Sequence, residues 1–127
     1  MADRAAHKRP GRFTPLSWRP QRLPAVYRSA DVVLQLSKDE SFGNVYIEAM
    51  ATGLPVVAQD SPRSRWIMGD DEFLTDTDDA ALVARNIELA KVTSPEQSQR
   101  SVVNAREFAW TKRAEIYRAF LAELTGR

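Results

Sequence analysis

The sequence contains no cysteine. That absence excludes disulfide staples, thiolate metal sites and thiol nucleophiles, and it accords with a reducing cytoplasm, the expected location. Histidine occurs once, at His7, with no second imidazole to join it, so histidine-based metal binding or acid–base catalysis is not expected. No apolar run reaches the roughly eighteen residues of a membrane-spanning helix. The basic start lacks the apolar stretch of a secretory signal. Glycine is scarce, with 5 in 127 residues, and the loops carry neither a Walker A sequence nor a dinucleotide-binding fingerprint. A net charge of +1 leaves little bulk attraction for a polyanion, and nucleic acid is not an expected partner.

What is present fits one globular core. Hydrophobic residues make up 43% and charged residues 28% of a chain too short for two ordinary domains. The charge is unevenly placed. Arg4, Lys8, Arg9, Arg12, Arg19 and Arg22 precede residue 23 with Asp3 as the sole acid, whereas Asp70, Asp71, Glu72, Asp76, Asp78 and Asp79 cluster without a base. Residues 1–21, holding Pro10, Pro15 and Pro20, read as an irregular basic segment with a short strand at Phe13–Leu16. A solvated tail accounts for its charge better than an acidic surface contact. Phe73 and Leu74 interrupt the acid run, so a strand edge and a helix cap explain it better than a calcium loop.

From residue 22 onward the pattern alternates. Leu23–Ala30 has helical spacing, Asp31–Ser37 is a compact apolar strand, and a loop leads into a helix that ends at Gly53. Val56–Ala58 makes a second strand and Glu72–Asp76 a third, at an edge. Thr77 or Asp78 caps a helix to about Val92, with Leu82, Val83, Ile87 and Ala90 on its apolar side. Ser94, Pro95 and Gln97 start another helix. Trp110, Ala114, Tyr117, Phe120, Leu121 and Leu124 stripe the last one. Strands alternating with helices imply an α/β fold with a short parallel sheet.

The stretch "DESFGNVYIEAMATGLPVVAQD", Asp39 to Asp60, carries the chemistry. Strand, loop and helix in that order place unsatisfied helix amides at the C-terminal end of a strand, where α/β sheets bind ligands. A phosphate against the amides of Phe42, Gly43, Asn44 and Val45 would satisfy them. Glu40 stands in the loop before the helix and Glu48 a little more than one turn into it. The two carboxylates could grip different parts of one ligand, with vicinal sugar hydroxyls as suitable donors. Equally, Glu40 could complement the helix dipole while Glu48 lies on a solvated face. The residues alone leave both readings open.

The longer run "SADVVLQLSKDESFGNVYIEAMATGLPVVAQD" resembles the C-terminal domain of retaining GT-B glycosyltransferases, the glycosyltransferase group 1 (family 4) class. The resemblance rests on the strand ending at Ser37 and on Glu40 and Glu48 in an E-x7-E pattern. It includes Phe42-Gly43-Asn44 inside that pattern and the helix-turn-strand "EAMATGLPVVA". It extends more weakly from about Arg12 to "EFAWTKRAEIYRAFL". It implies that residues 22–127 form part of a Rossmann-like domain. It also implies a nucleotide-sugar donor, a UDP- or GDP-sugar, with hexosyl transfer proceeding with retention and without an obligatory metal. Glu40 would then meet the donor-sugar hydroxyls at the reacting centre, and the amides of Phe42, Gly43, Asn44 and Val45 would hold sugar and diphosphate. Glu48 would bind the ribose, and Ser37 would line the pocket floor.

The chain departs from the family pattern in two ways. Ser61 and Pro62 replace a Gly-Gly turn, and Arg65 stands near a family glutamate. Arg63 or Arg65 would accordingly face the ligands or lie on the surface. Trp66, read in a loop near the cleft, is a packing residue or a sugar platform. The family's basic diphosphate pair and acceptor-binding domain lie upstream of the matched part. The expectation is therefore a donor-binding fragment or subunit, from a truncated gene or a split enzyme. Its partner would be an N-terminal acceptor-binding domain or subunit, with peripheral membrane association through the acceptor. The last helix would then carry an uncovered apolar face. The rival is a non-catalytic nucleotide-binding or protein-interaction module with the same half-fold.

Overall fold

The computed structural model describes residues 19–39, 41–69 and 73–126, together with Arg12, Thr14, Pro15 and Ser17. Phe13 and Leu16, the ends of the strand expected near the start, lie outside the described residues, as does His7, and Thr14 and Pro15 carry no regular structure.

A 3-10 turn at Pro20–Arg22 leads into helix α1 (Leu23–Arg28), whose Pro24 sits in the first turn, where a missing amide costs no helical hydrogen bond. Strand β1 (Val33–Gln35) follows, then α2 (Asn44–Ala51), β2 (Val56–Gln59), α3 (Pro62–Met68) and β3 (Phe73–Thr75). Helices α4 (Ala80–Ala90), α5 (Pro95–Arg106) and α6 (Trp110–Thr125) complete the chain. The three strands are parallel in the order β1-β2-β3, with Val33 opposite Val56, Leu34 opposite Val57 and Ala58 opposite Leu74. The α/β architecture expected from the alternating pattern is the one observed.

β2 is central, and Val56, Val57 and Ala58 are wholly buried, as a strand covered on both faces requires. Side chains alternate along it. Val56 and Ala58 join Tyr46, Ala49, Met50, Ile67, Met68 and Ala105 in the main core, which draws on α2, α3 and α5. Val57 points to the opposite face, where α4 lies against β2 and β3 with Val83 buried. Of the apolar side expected for α4, Val83 and Ala90 are buried and Ile87 partly so, but Leu82 is 41% exposed because the three-stranded sheet is too narrow to cover it.

The turn from α2 to β2 is a Schellman motif. The Gly53 amide bonds the Met50 carbonyl and the Leu54 amide bonds that of Ala49, with Gly53 at a left-handed φ of 75°. The cap of α4 is Asp79, whose carboxylate accepts from the Ala81 and Leu82 amides at 2.9 and 3.1 Å. Neither expected residue takes that role: Thr77 bonds the Gln59 side chain and Asp78 pairs with Lys38. The acid run is thus used for capping and pairing where it is described. Asp70, Asp71 and Glu72 lie outside the described residues, and among the described residues no three acidic or histidine groups converge as a metal site would need. Ser94 caps α5 by accepting from the Gln97 amide, with Pro95 at the first helical position.

Two features differ in kind from this closed core. The segment Pro62–Met68, read as a loop, is the helix α3, so Trp66 sits on a helix. Helix α6 buries no residue at all; Tyr117, Phe120, Leu121 and Leu124 stand 54–67% exposed along its apolar stripe.

Candidate functional site

The loop after β1 passes Ser37, exposed, and Lys38, which pairs with Asp78 across the C-terminal edge of the sheet. Glu40 lies outside the described residues. The chain then turns at Gly43, which is buried and left-handed (φ 88°, ψ 44°), and α2 begins at Asn44. Glycine is needed there for two reasons. The backbone angle strains any side chain, and a Cβ would stand 2.5 Å from Cδ2 of the Tyr46 ring folded over it. No side chain among the described residues caps α2, and the Tyr46 amide bonds the Gly43 carbonyl at 3.0 Å. The amides of Asn44 and Val45 have no acceptor within the helix, and they meet at its positive end.

The neighbouring helix starts differently. At α3, Ser61 Oγ accepts from the Ser64 amide at 3.1 Å, and the Ser61 amide donates to Ser64 Oγ at 2.9 Å, a closed capping box. Ser64 is buried and its hydroxyl also donates to the Gln59 carbonyl at 2.7 Å. Arg65 grips Asp60 through Nε and Nη2, both at 2.6 Å, and this guanidinium holds the Asp60 carboxyl below its ordinary value. In this structure Arg65 faces Asp60, at the start of its own helix; Arg63 is exposed.

An open cavity of about 590 Å³ runs along α2 toward the corner between α5 and α6. It is bordered on one side by Phe42, Asn44, Ile47 and Glu48, and on the other by Arg106, Phe108, Trp110 and Arg113. Three of the residues expected at the site, Phe42, Asn44 and Glu48, therefore share one cavity. Ser37, Gly43 and Val45 do not border it. Gly43 lies beneath the Tyr46 ring, and Ser37 is in the loop two residues beyond β1, which ends at Gln35 and not at Ser37 as expected. Glu48 is exposed, and its Oε2 accepts a hydrogen bond from Tyr27 Oη at 2.8 Å. Burial and the Glu48 carboxylate push the Tyr27 hydroxyl up to about 12, so it keeps its proton and remains a donor.

An aromatic cluster joins the two sides. Phe42, Trp66 and Phe108 meet edge to face, with centroids 5.2–6.4 Å apart, and the Arg113 guanidinium lies 4.9 Å from the Phe108 centroid. Trp66 packs into this cluster while keeping 59% of its surface exposed. Sequence reasoning did not assign Arg106, Phe108 and Arg113 to the site: they are more than fifty residues from α2, and the run "EFAWTKRAEIYRAFL" that holds Phe108 and Arg113 was read only as part of the last helix. Nor did it find the Tyr27 hydroxyl contact, because Tyr27 fits a helical apolar stripe equally well.

Residues 2–91 match the family described as Glycosyl transferases group 1, and the chain belongs to that family. Curated relatives agree. A D-inositol 3-phosphate glycosyltransferase of Corynebacterium efficiens is 36% identical over 84% of this chain and 26% of its own length. One from Saccharomonospora viridis is 34% identical over 84% of this chain and 27% of its own. A third, from Nocardia farcinica, reaches 58% identity over 41 residues, 32% of this chain and 9% of its own. The chain thus spans about a quarter of the length of the longer-matching relatives. No solved structure matches it. The family and the three-stranded parallel sheet with its flanking helices together accord with a Rossmann-like GT-B C-terminal half-domain. Among the described residues no helix is long and apolar enough to cross a membrane.

Proposed function

We propose that this chain supplies the donor-binding part of a retaining glycosyltransferase that takes its sugar from a UDP- or GDP-sugar without an obligatory metal. The observation that carries the reading is the pairing of an α2 start with no described side-chain cap and Glu48 one turn further on, along one cavity. A diphosphate laid against the amides at residues 42–45 is stabilised by the helix N-terminus. From there the ribose reaches Glu48, whose carboxylate accepts from two vicinal hydroxyls, while Ser37 is assigned to the pocket floor. Glu40 is assigned to the donor-sugar hydroxyls and to the positive charge that develops at the anomeric carbon. The relatives' name suggests a phosphorylated cyclitol as the acceptor, and we assign its binding to an N-terminal domain or subunit. Contact with a membrane would come only through that acceptor.

The second reading is a non-catalytic nucleotide-binding or protein-interaction module; the uncovered apolar stripe of α6 is compatible with it as with a fragment that lacks its acceptor-binding partner. The two readings part at transfer activity once an acceptor-binding partner is added. Titration calorimetry of the chain with UDP, GDP and ADP tests the site itself. Binding of at least one nucleotide, weakened by Glu48→Ala, is expected. A folded chain that binds none of the three overturns the reading.

A further inference from the structure

Glu48 stands at an exposed position of α2, where a glutamate ordinarily samples many rotamers. Here one of its oxygens is held by a group from a different element, 21 residues earlier in the chain. Tyr27 is well suited to hold it. Its ring is partly buried against the main core, and its position is set by only two side-chain torsions. We propose that Tyr27 is a positioning residue of the donor site: its hydroxyl fixes Glu48 Oε2 so that the carboxylate's remaining lone pairs face the vicinal hydroxyls of the ribose. This rests on the reading of Glu48 as the ribose ligand. A carboxylate offers about four acceptor positions, so one bond from Tyr27 leaves room for two sugar hydroxyls. The contact ties α1 to α2 at a residue that borders the cavity, and the tyrosine stays protonated as a donor through neutral pH. The opposite role is also defined by this geometry. If the tyrosine hydroxyl competed with the ribose for Glu48, removing it would tighten binding.

The test is a cycle of Tyr27→Phe, Glu48→Gln and the double variant, titrated with the nucleotide diphosphate the chain prefers and with its 2′,3′-dideoxy form. Tyr27→Phe keeps the ring and should weaken binding roughly five- to tenfold, about one hydrogen bond's worth. It should cost nothing further once Glu48 is Gln, and nothing for the dideoxy nucleotide, which has no vicinal hydroxyls to present. A loss that is equal for both nucleotides marks a general structural effect and overturns the positioning role. Unchanged or tighter binding by Tyr27→Phe, with Glu48→Gln weakened, overturns it while leaving Glu48 as the ribose ligand. Unchanged binding by Glu48→Gln, or no nucleotide binding by the parent, removes the reading beneath it as well.

Discussion

Helices α2 and α3 begin at the C-terminal ends of adjacent parallel strands, yet they begin in opposite ways. The start of α3 is satisfied from within by the Ser61–Ser64 box and by the Asp60–Arg65 pair beside it. The start of α2 has a left-handed glycine, a ring folded over it, and no side-chain cap among the described residues. In both, topology supplies the same array of helix amides. One array is closed by the chain's own hydroxyls; the other has no side-chain cap among the described residues, and Phe42 and Asn44 beside it border the cavity that also reaches Glu48. On the proposed reading, position at a strand's C-terminal end is not sufficient for a binding site; the chain must also withhold its own caps. Ser61 and Pro62 fit this division, because they make a self-capped helix start.

Substitutions at the two starts should separate stability from binding. The largest effect is expected for Gly43→Ala, which meets both the left-handed backbone and the Tyr46 ring. A loss of about 2–3 kcal/mol in denaturant unfolding is expected, together with loss of nucleotide binding. Ser61→Ala removes one cap and should cost about 1 kcal/mol while leaving nucleotide affinity unchanged. If Ser61→Ala instead weakens binding as much as Gly43→Ala does, the contrast between the helices fails.

The smallest effect lies in pH dependence. Tyr27 ionises at about 12 in the folded chain against 10.0 for the free side chain. The folded state holds that proton more tightly, so the contribution to stability is complete below pH 10 and is lost as pH rises toward 12. Unfolding measured across that range should show the decline in the parent and a weaker one in Tyr27→Phe. Phenolate absorbance of Glu48→Gln should show Tyr27 ionising earlier, though still late, because burial is the largest cause of its shift.

Much of the fold was legible where local chemistry and tertiary packing agree. Short apolar runs bounded by polar residues marked β1 and β2, and Gly53 before Pro55 marked the end of α2. Helix α3 escaped notice because Trp66, Ile67 and Met68 are consecutive and show no helical period, and because its box uses Ser64 where glutamate or glutamine is usual. The signal was present nonetheless, since Ser61-Pro62 repeats the Ser94-Pro95 start that was recognised. The cap of α4 was misplaced by one or two residues among three eligible side chains, a choice decided by where the backbone turns helical. Of the residues read from the helix start and the family pattern, Phe42, Asn44 and Glu48 border one cavity, and Ser37, Gly43 and Val45 do not. The wall built by Phe108 and Arg113 was not legible, because those contacts are long-range and depend on how α5 packs beside α2.

The most direct measurement is an amide NMR titration of the chain with UDP and with GDP. Binding should shift the amide signals of Gly43, Asn44 and Val45 strongly and those of Arg63, Ser64 and Arg65 little. Equal shifts at the two helix starts, or shifts confined to α3, would contradict the claim that the open end of α2 is where the diphosphate lies.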